Sequence, residues 1–257
     1  MSQPSPAASP VPEFAFAADT RLPAVDVARG IAILQMIAFH FCYDLNHFGW
    51  IRVDMLGDPA WIAWRSAIVT QFLFLVGVSL SLRAGGFAAG TRTNWRRWGQ
   101  VAACAALVSL ASALLFRSRW IWFGVLHFVA VMQLLLPRAA RIGTANLVAG
   151  AALVALGCWV HLSWFAADTL SWIGFSPVKP ATEDFVPLLP WSGVVLLGIG
   201  MGVRWQASRG ATAQRLRGRP GPAWRLPAFL GRWPLTTYMV HQPVLFGALA
   251  LLHRLAA

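Results

Sequence analysis

Seven runs of about twenty apolar residues dominate this chain, at roughly 27–45, 62–82, 98–116, 120–137, 145–165, 186–204 and 233–252. A helix of that length matches the hydrocarbon core of a bilayer, about 30 Å thick. Inside such a core each backbone N–H and C=O must be satisfied within the segment, so a run of this kind folds as a helix. The expected fold is therefore all-α, a polytopic membrane helix bundle of about seven transmembrane helices. Composition removes the soluble alternative. Charged residues make up 12% of the 257 and hydrophobic ones 58%, whereas a soluble domain is about 25% charged.

The same runs give the net charge of +12 its meaning. On a soluble protein that excess would suggest nucleic acid. Here the arginines lie in short segments between apolar runs, the pattern of cytoplasmic loops, and no nucleic-acid partner is expected. Arg83, Arg92, Arg96 and Arg97 follow the second run, and Arg138 and Arg141 follow the fourth. Arg204, Arg209, Arg215, Arg217, Arg219, Arg225 and Arg232 follow the sixth. These loops alternate in register, so they share one side. The opposite loops carry Asp54, Asp58, Asp168, Glu183 and Asp184, with Arg117 and Arg119 as a mild exception. The expected topology has the N-terminus inside and the C-terminus outside.

Residues 1–20 are rich in Pro, Ala and Ser and lack a basic segment ahead of an apolar one. They read as a disordered tail before a single domain at 21–257, not as a cleavable signal. Lys179 is the sole lysine among 21 basic residues. Coding bias accounts for that, although guanidinium also suits bidentate phosphate contacts. Cys42, Cys104 and Cys158 are isolated, so neither a metal site nor a disulfide framework is expected. Gly77, Gly198, Gly200 and Gly202 are placed for close helix approach. Many of the fourteen tryptophans, Trp50, Trp61 and Trp120 among them, fall near outer boundaries as an anchoring belt.

Ionisable groups inside a span cost roughly 2.5–3.5 kcal/mol each, so each needs a reason. His40, Asp44 and His47 in FHFCYDLNHF are spaced by four and three, on one helical face. A carboxylate one turn from an imidazole can hold its tautomer and raise its basicity, as a general base requires. A solvated helix end is the competing reading, strongest for His47. His127 and His241 also lie within runs. At 1.5 Å per residue, His40 is about 20 Å from its inner helix end, His127 about 10 Å from its outer end and His241 about 12 Å from its inner end. All three can reach a common depth, and a hydrogen-bonded structural role competes for His127 and His241. Asp26 and Arg29 are spaced to form an ion pair at the inner end of the first helix. No P-loop, GxGxxG, HExxH or GxSxG stands in the right context.

Five stretches in order carry a resemblance: RLPAVDVARGIAILQMIAFHFCYDL, QFLFLVGVSLSL, IWFGVLHFVAVMQLLLP, FVPLLPWSGVVLLGIGMG and TYMVHQPVL. Together they resemble bacterial members of the heparan-alpha-glucosaminide N-acetyltransferase catalytic-domain family, across about residues 20–252. The resemblance implies a bacterial inner-membrane enzyme that takes acetyl from cytosolic acetyl-CoA to an amine or hydroxyl, a glycan or small molecule, on the outer face. It implies a catalytic histidine at His40, with His47 second. In lysosomal members Asn stands at the position of His40 and the reactive histidine lies further along, which leaves open which histidine acts. Those members also carry a large luminal domain that this sequence does not show, so heparan is not expected as substrate. Coenzyme A phosphates would meet Arg83, Arg96, Arg97, Arg204 and Arg232, the arginines nearest helix ends. The competing class is a small-solute or proton-coupled transporter with His40, Asp44 and His241 as a relay. Membrane lipid is an expected partner of such a fold, and a homo-oligomer is compatible with it.

Overall fold

The computed structural model describes residues 22–83, 93–135, 138–207 and 218–256. The expected N-terminal tail, and Arg92, Arg209, Arg215 and Arg217 of the basic loops, lie outside the described residues. Among those described, helix is the sole regular structure. The helices are α1 (Pro23–His47), α2 (Pro59–Arg83), α3 (Trp95–Phe116), α4 (Val125–Leu135), α5 (Ala145–Trp159), α6 (Asp168–Ser171), α7 (Leu188–Ala207), α8 (Arg225–Arg232) and α9 (Pro234–Ala256).

Five of them, α1, α2, α3, α7 and α9, are long and apolar enough to cross a membrane. The expected fourth and fifth spans are helical but short, with 11 residues in α4 and 15 in α5. At 1.5 Å per residue they reach about 17 and 23 Å, short of a full core. The count of seven therefore reduces to five spans by length. The sequence overestimates α4 because residues 120–124 are apolar but not helical. Their backbone is satisfied from outside the segment. Thr182 Oγ1 donates to the Trp120 carbonyl at 2.7 Å, Ser109 Oγ donates to that of Ile121 at 2.6 Å, and the Ile121 N–H donates to Ser112 Oγ at 2.9 Å. The Val186 N–H donates to the Phe123 carbonyl at 3.3 Å. Irregular backbone at membrane depth is stable where protein groups replace the missing helix bonds.

α7 is the centre of the bundle, with half of its most apolar window buried. α2 lies along one side of it, where a Cβ at Gly77 would strike the Val195 carbonyl and one at Gly198 the Phe74 carbonyl. α5 lies antiparallel on the other side, with Gly150 against Gly193. Lipid tails are as apolar as leucine, so such helices gain by close packing rather than by burial from water. The fully buried Leu73, Phe128, Met132, Val195 and Ile199 fill the core between α2, α4 and α7.

At the N-terminal end of α1, Arg29 joins three helices. It donates to Asp26 at 2.9 Å, to the Gly231 carbonyl at 2.8 Å and to Ser79 Oγ at 2.7 Å. The expected ion pair thus forms and is structural. α8 lies against α1 there, with Gly30 against the Pro227 carbonyl and Gly231 against that of Asp26. From that end α1 and α9 run parallel, as the pairings His40 with His241, Asp44 with Gln242 and His47 with Phe246 show.

Candidate active site

The parallel course of α1 and α9 brings together groups some 200 residues apart. His40 and His241 meet edge to face with ring centroids 4.9 Å apart. Each is oriented by its own helix. His40 Nδ1 lies 2.9 Å from the Met36 carbonyl, and His241 Nδ1 lies 2.7 Å from that of Tyr238. A carbonyl oxygen only accepts, so Nδ1 carries the hydrogen in both rings and Nε2 is the basic nitrogen. His241 is 9% exposed, and its Nε2 is buried without a hydrogen-bond partner.

One turn further along α1 stands a second rung. Asp44 is 1% exposed, and its Oδ1 accepts from Gln242 Nε2 at 2.7 Å. Asp44 Oδ2 and Gln242 Oε1 are buried without partners. The expected bond between Asp44 and His40 is replaced by these contacts. A backbone carbonyl four residues back fixes the His40 tautomer, and the carboxylate turns to α9. The i, i+4 spacing does put both residues on one face, but the nearer acceptor wins the Nδ1 hydrogen.

The loop before α7 reaches α1, α4 and α9. Asp184 Oδ2 accepts the Val125 N–H at 2.8 Å, at the positive end of α4, and the Tyr238 hydroxyl lies 3.5 Å from it. Gly124 leaves room for that carboxylate, since a Cβ there would strike it. Glu183 accepts from Tyr43 at 2.6 Å and pairs with Arg119 Nε at 3.1 Å. Burial pushes the Asp184 carboxyl above the usual carboxylate range, against the lowering effect of the Val125 N–H. Lys179 is pushed below the usual lysine range, first by burial and then by the Arg65 guanidinium. The sequence reading treats Glu183 and Asp184 as topology markers and overlooks Tyr43, Tyr238 and Gln242. The last two sit in the same TTYMVHQPV stretch as His241, which was the available signal.

His127 is held as a bonded group. The Gly124 N–H donates to its Nδ1 at 3.2 Å, so Nε2 carries the hydrogen and donates to Ser109 Oγ at 3.0 Å. Both nitrogens are engaged, which favours the structural role. His47 is exposed and packs against Phe48 and Phe246. The five arginines expected at coenzyme A stand at separate helix ends. Arg96 and Arg97 open α3, where Asn94 Oδ1 accepts the Arg97 N–H at 3.1 Å. Arg204 is exposed in the last turn of α7, and Arg232 is exposed at the end of α8. Arg83 ends α2, and its side chain lies outside the described residues. A groove of about 340 Å³ beside Ala24, Val27, Ala28, Ile31, Arg219 and Trp224 opens near the N-terminal end of α1. Ile31 is nine residues, or two and a half turns, from His40, so that groove occupies the opposite face of the helix. Among the described residues no three metal-ligating side chains cluster.

No curated protein and no solved structure matches the chain. A family model does, over residues 21–243, and its description is the heparan-alpha-glucosaminide N-acetyltransferase catalytic domain. With five apolar membrane-length helices and a match across most of its length, the chain belongs to that family of membrane acyltransferases.

Proposed function

We propose that this protein is an integral membrane acetyltransferase that moves acetyl from cytosolic acetyl-CoA to an amine or hydroxyl on the outer face of a bacterial inner membrane. The observation that carries the reading is the imidazole pair of His40 and His241, with both Nδ1 hydrogens tied to backbone carbonyls and both Nε2 atoms left basic. The acceptor N–H or O–H gives its proton to an Nε2 as the nucleophile attacks the thioester carbonyl. The new C–N or C–O bond forms, the C–S bond breaks, and the proton passes to the departing thiolate. Coenzyme A leaves as the thiol, and the acetyl ends on the acceptor. Direct transfer accounts for the pair without an acetyl-enzyme, and trapping of an acetyl-histidine would overturn that order of events.

The donor side is assigned to the inner face because Arg96, Arg97, Arg204 and Arg232, with Arg83, offer its phosphates guanidinium partners. The chain crosses the membrane seven times in this proposal, with the N-terminus inside, α4 and α5 counting as crossings. The acceptor class extends to glycans. The deciding experiment measures acetyl transfer and thermal stabilisation by coenzyme A in detergent-solubilised protein. Coenzyme A should raise the melting temperature, and His40→Ala or His241→Ala should each lower transfer by about 10²–10⁴-fold while that stabilisation persists. Full activity in both variants overturns the site. No response to coenzyme A at millimolar concentration favours the transporter reading.

A further inference from the structure

The rung formed by Asp44 and Gln242 has no part in the transfer chemistry, and it is short of hydrogens. Gln242 Nε2 gives one N–H to Asp44 Oδ1 at 2.7 Å. The other two oxygens, Asp44 Oδ2 and Gln242 Oε1, are buried and have no partner. They belong to two planar groups already joined by a hydrogen bond, so they lie within a few ångströms of one another. His241 Nε2, on the residue before Gln242, is a third buried acceptor without a donor. Pro243, the residue after it, has no N–H to give the Met239 carbonyl, which the helix points toward that level. Lone pairs are thus in surplus over a short stretch of α9 and the facing turn of α1.

A buried charge is stable when it is paired or holds a metal ion. Among the described residues the ion pairs are Arg29 with Asp26 and Arg119 with Glu183, and Asp44 has no guanidinium, ammonium or imidazole within ion-pair distance. One neutral amide N–H orients the carboxylate without cancelling its charge. A partner that fits is therefore positive. The donor set narrows it further. Carboxylate and amide oxygens are hard ligands, unsuited to soft metals that seek thiolates. A single carboxylate carries one charge, so a monovalent ion leaves the rung neutral and a divalent ion does not. Backbone carbonyls released at a break in a membrane helix are groups that coordinate sodium, and Pro243 releases one in α9.

We propose that Asp44 Oδ2 and Gln242 Oε1 form a site for a small monovalent cation of sodium size at the contact of α1 and α9, with the Met239 carbonyl as the backbone oxygen at its level. The ion ties the two helices together one turn from His40, and so steadies the imidazole pair. Binding is independent of the reaction, whereas an effect on acetyl transfer rests on the acetyltransferase reading.

The test uses the full chain in phosphatidylcholine nanodiscs, melted in sodium chloride and in choline chloride at matched ionic strength and pH. Sodium should raise the melting temperature and saturate, while the bulkier choline should not. Asp44→Asn keeps the size of the side chain and removes its charge, and Gln242→Met keeps the length and removes the oxygen. Each should weaken sodium binding by about tenfold or more. Circular dichroism and monodisperse elution report that the variants are folded, and where Asp44→Asn is not, Gln242→Met decides. Equal melting temperatures of the wild type in the two salts, or a wild-type sodium response in either folded variant, overturns the site. Stabilisation by acid that is the same in both salts also overturns it, because Asp44 then holds a proton instead. The readout needs no acetyl transfer, so the cation site and the transferase reading fail separately.

Discussion

Asp44 is a carboxylate 1% exposed whose hydrogen-bond partner is a single amide, Gln242. A hydrogen bond to a charged group is worth about 1.5–3 kcal/mol, and losing one partner strands the other. Gln242→Leu should therefore destabilise the protein by about that amount, while adding Asp44→Leu should restore most of it, since removing both partners is close to neutral. Unfolding in mild detergent checks this, and additive losses in the double variant would sink the pairing. Asp184 gives a pH-dependent case. Its folded value is raised by burial above the ordinary 3.8. Its contribution to stability is thus fully present below the unfolded value and falls away as pH rises through the folded one. Asp184→Asn keeps an acceptor for the Val125 N–H and has no such fall. Melting temperatures should show the variant gaining on wild type as the pH rises above the ordinary 3.8. A constant difference across that range would contradict the raised value. At this scale the sequence showed His40 and His241 because an ionisable group in an apolar run stands out. Their partners were illegible, because spacing along one helix reports a face and not what the next helix brings to it. His40 and Asp44 share a face, yet one binds its own backbone and the other binds α9.

The glycines show how a helix contact differs from a helix propensity. Gly77 and Gly198 lie where a side chain would enter the backbone of the facing helix, against the carbonyls of Val195 and Phe74. Backbone cannot rotate aside as a side chain does, so Gly77→Val or Gly198→Val must separate α2 from α7. The expected cost is at the upper end of about 1–3 kcal/mol for overpacking, or above it. Gly99 in α3 and Gly247 in α9 have nothing within 4 Å of an added Cβ. Gly99→Ala and Gly247→Ala should gain about 0.5–1 kcal/mol from helix propensity. Thermal unfolding of the four variants separates the classes, and a Gly77 variant as stable as a Gly99 variant would refute the close α2–α7 contact. The small-residue run Gly198–Gly202 was legible in the sequence as a close-approach surface. The kind of partner was not, because Gly202 meets a serine hydroxyl, Gly198 a carbonyl and Gly200 the Leu147 side chain.

Apolar runs gave the helical class of the whole molecule but not the number of crossings. Residues 120–124 are as apolar as a span and yet are held by Ser109, Ser112 and Thr182 instead of by helix bonds. Composition cannot distinguish the two, since both keep polar backbone away from lipid. Five and seven crossings also put the termini on opposite sides, so locating the termini does not separate them. The turn between α4 and α5 does. α5 runs antiparallel to α7, with Leu147 level with Gly200. α7 continues to Ala207, seven residues or about 10 Å beyond Gly200 toward the basic end of the bundle. Leu147 is itself preceded by the turn at Ala139–Ile142, which runs the same way. The turn therefore comes close to the level of the C-terminal end of α7, and the exposed Arg138 and Arg141 can reach headgroups by extending their side chains. Two short helices can then count as crossings because their ends are completed by irregular backbone and by arginine. With Cys42, Cys104 and Cys158 replaced by alanine, Arg141→Cys should react with a membrane-impermeant maleimide from the inner side. Trp164→Cys, in the exposed turn after α5, should react from the outer side. Labelling of position 141 from the outer side, or from neither, would make the α4–α5 hairpin re-entrant and return the count to five.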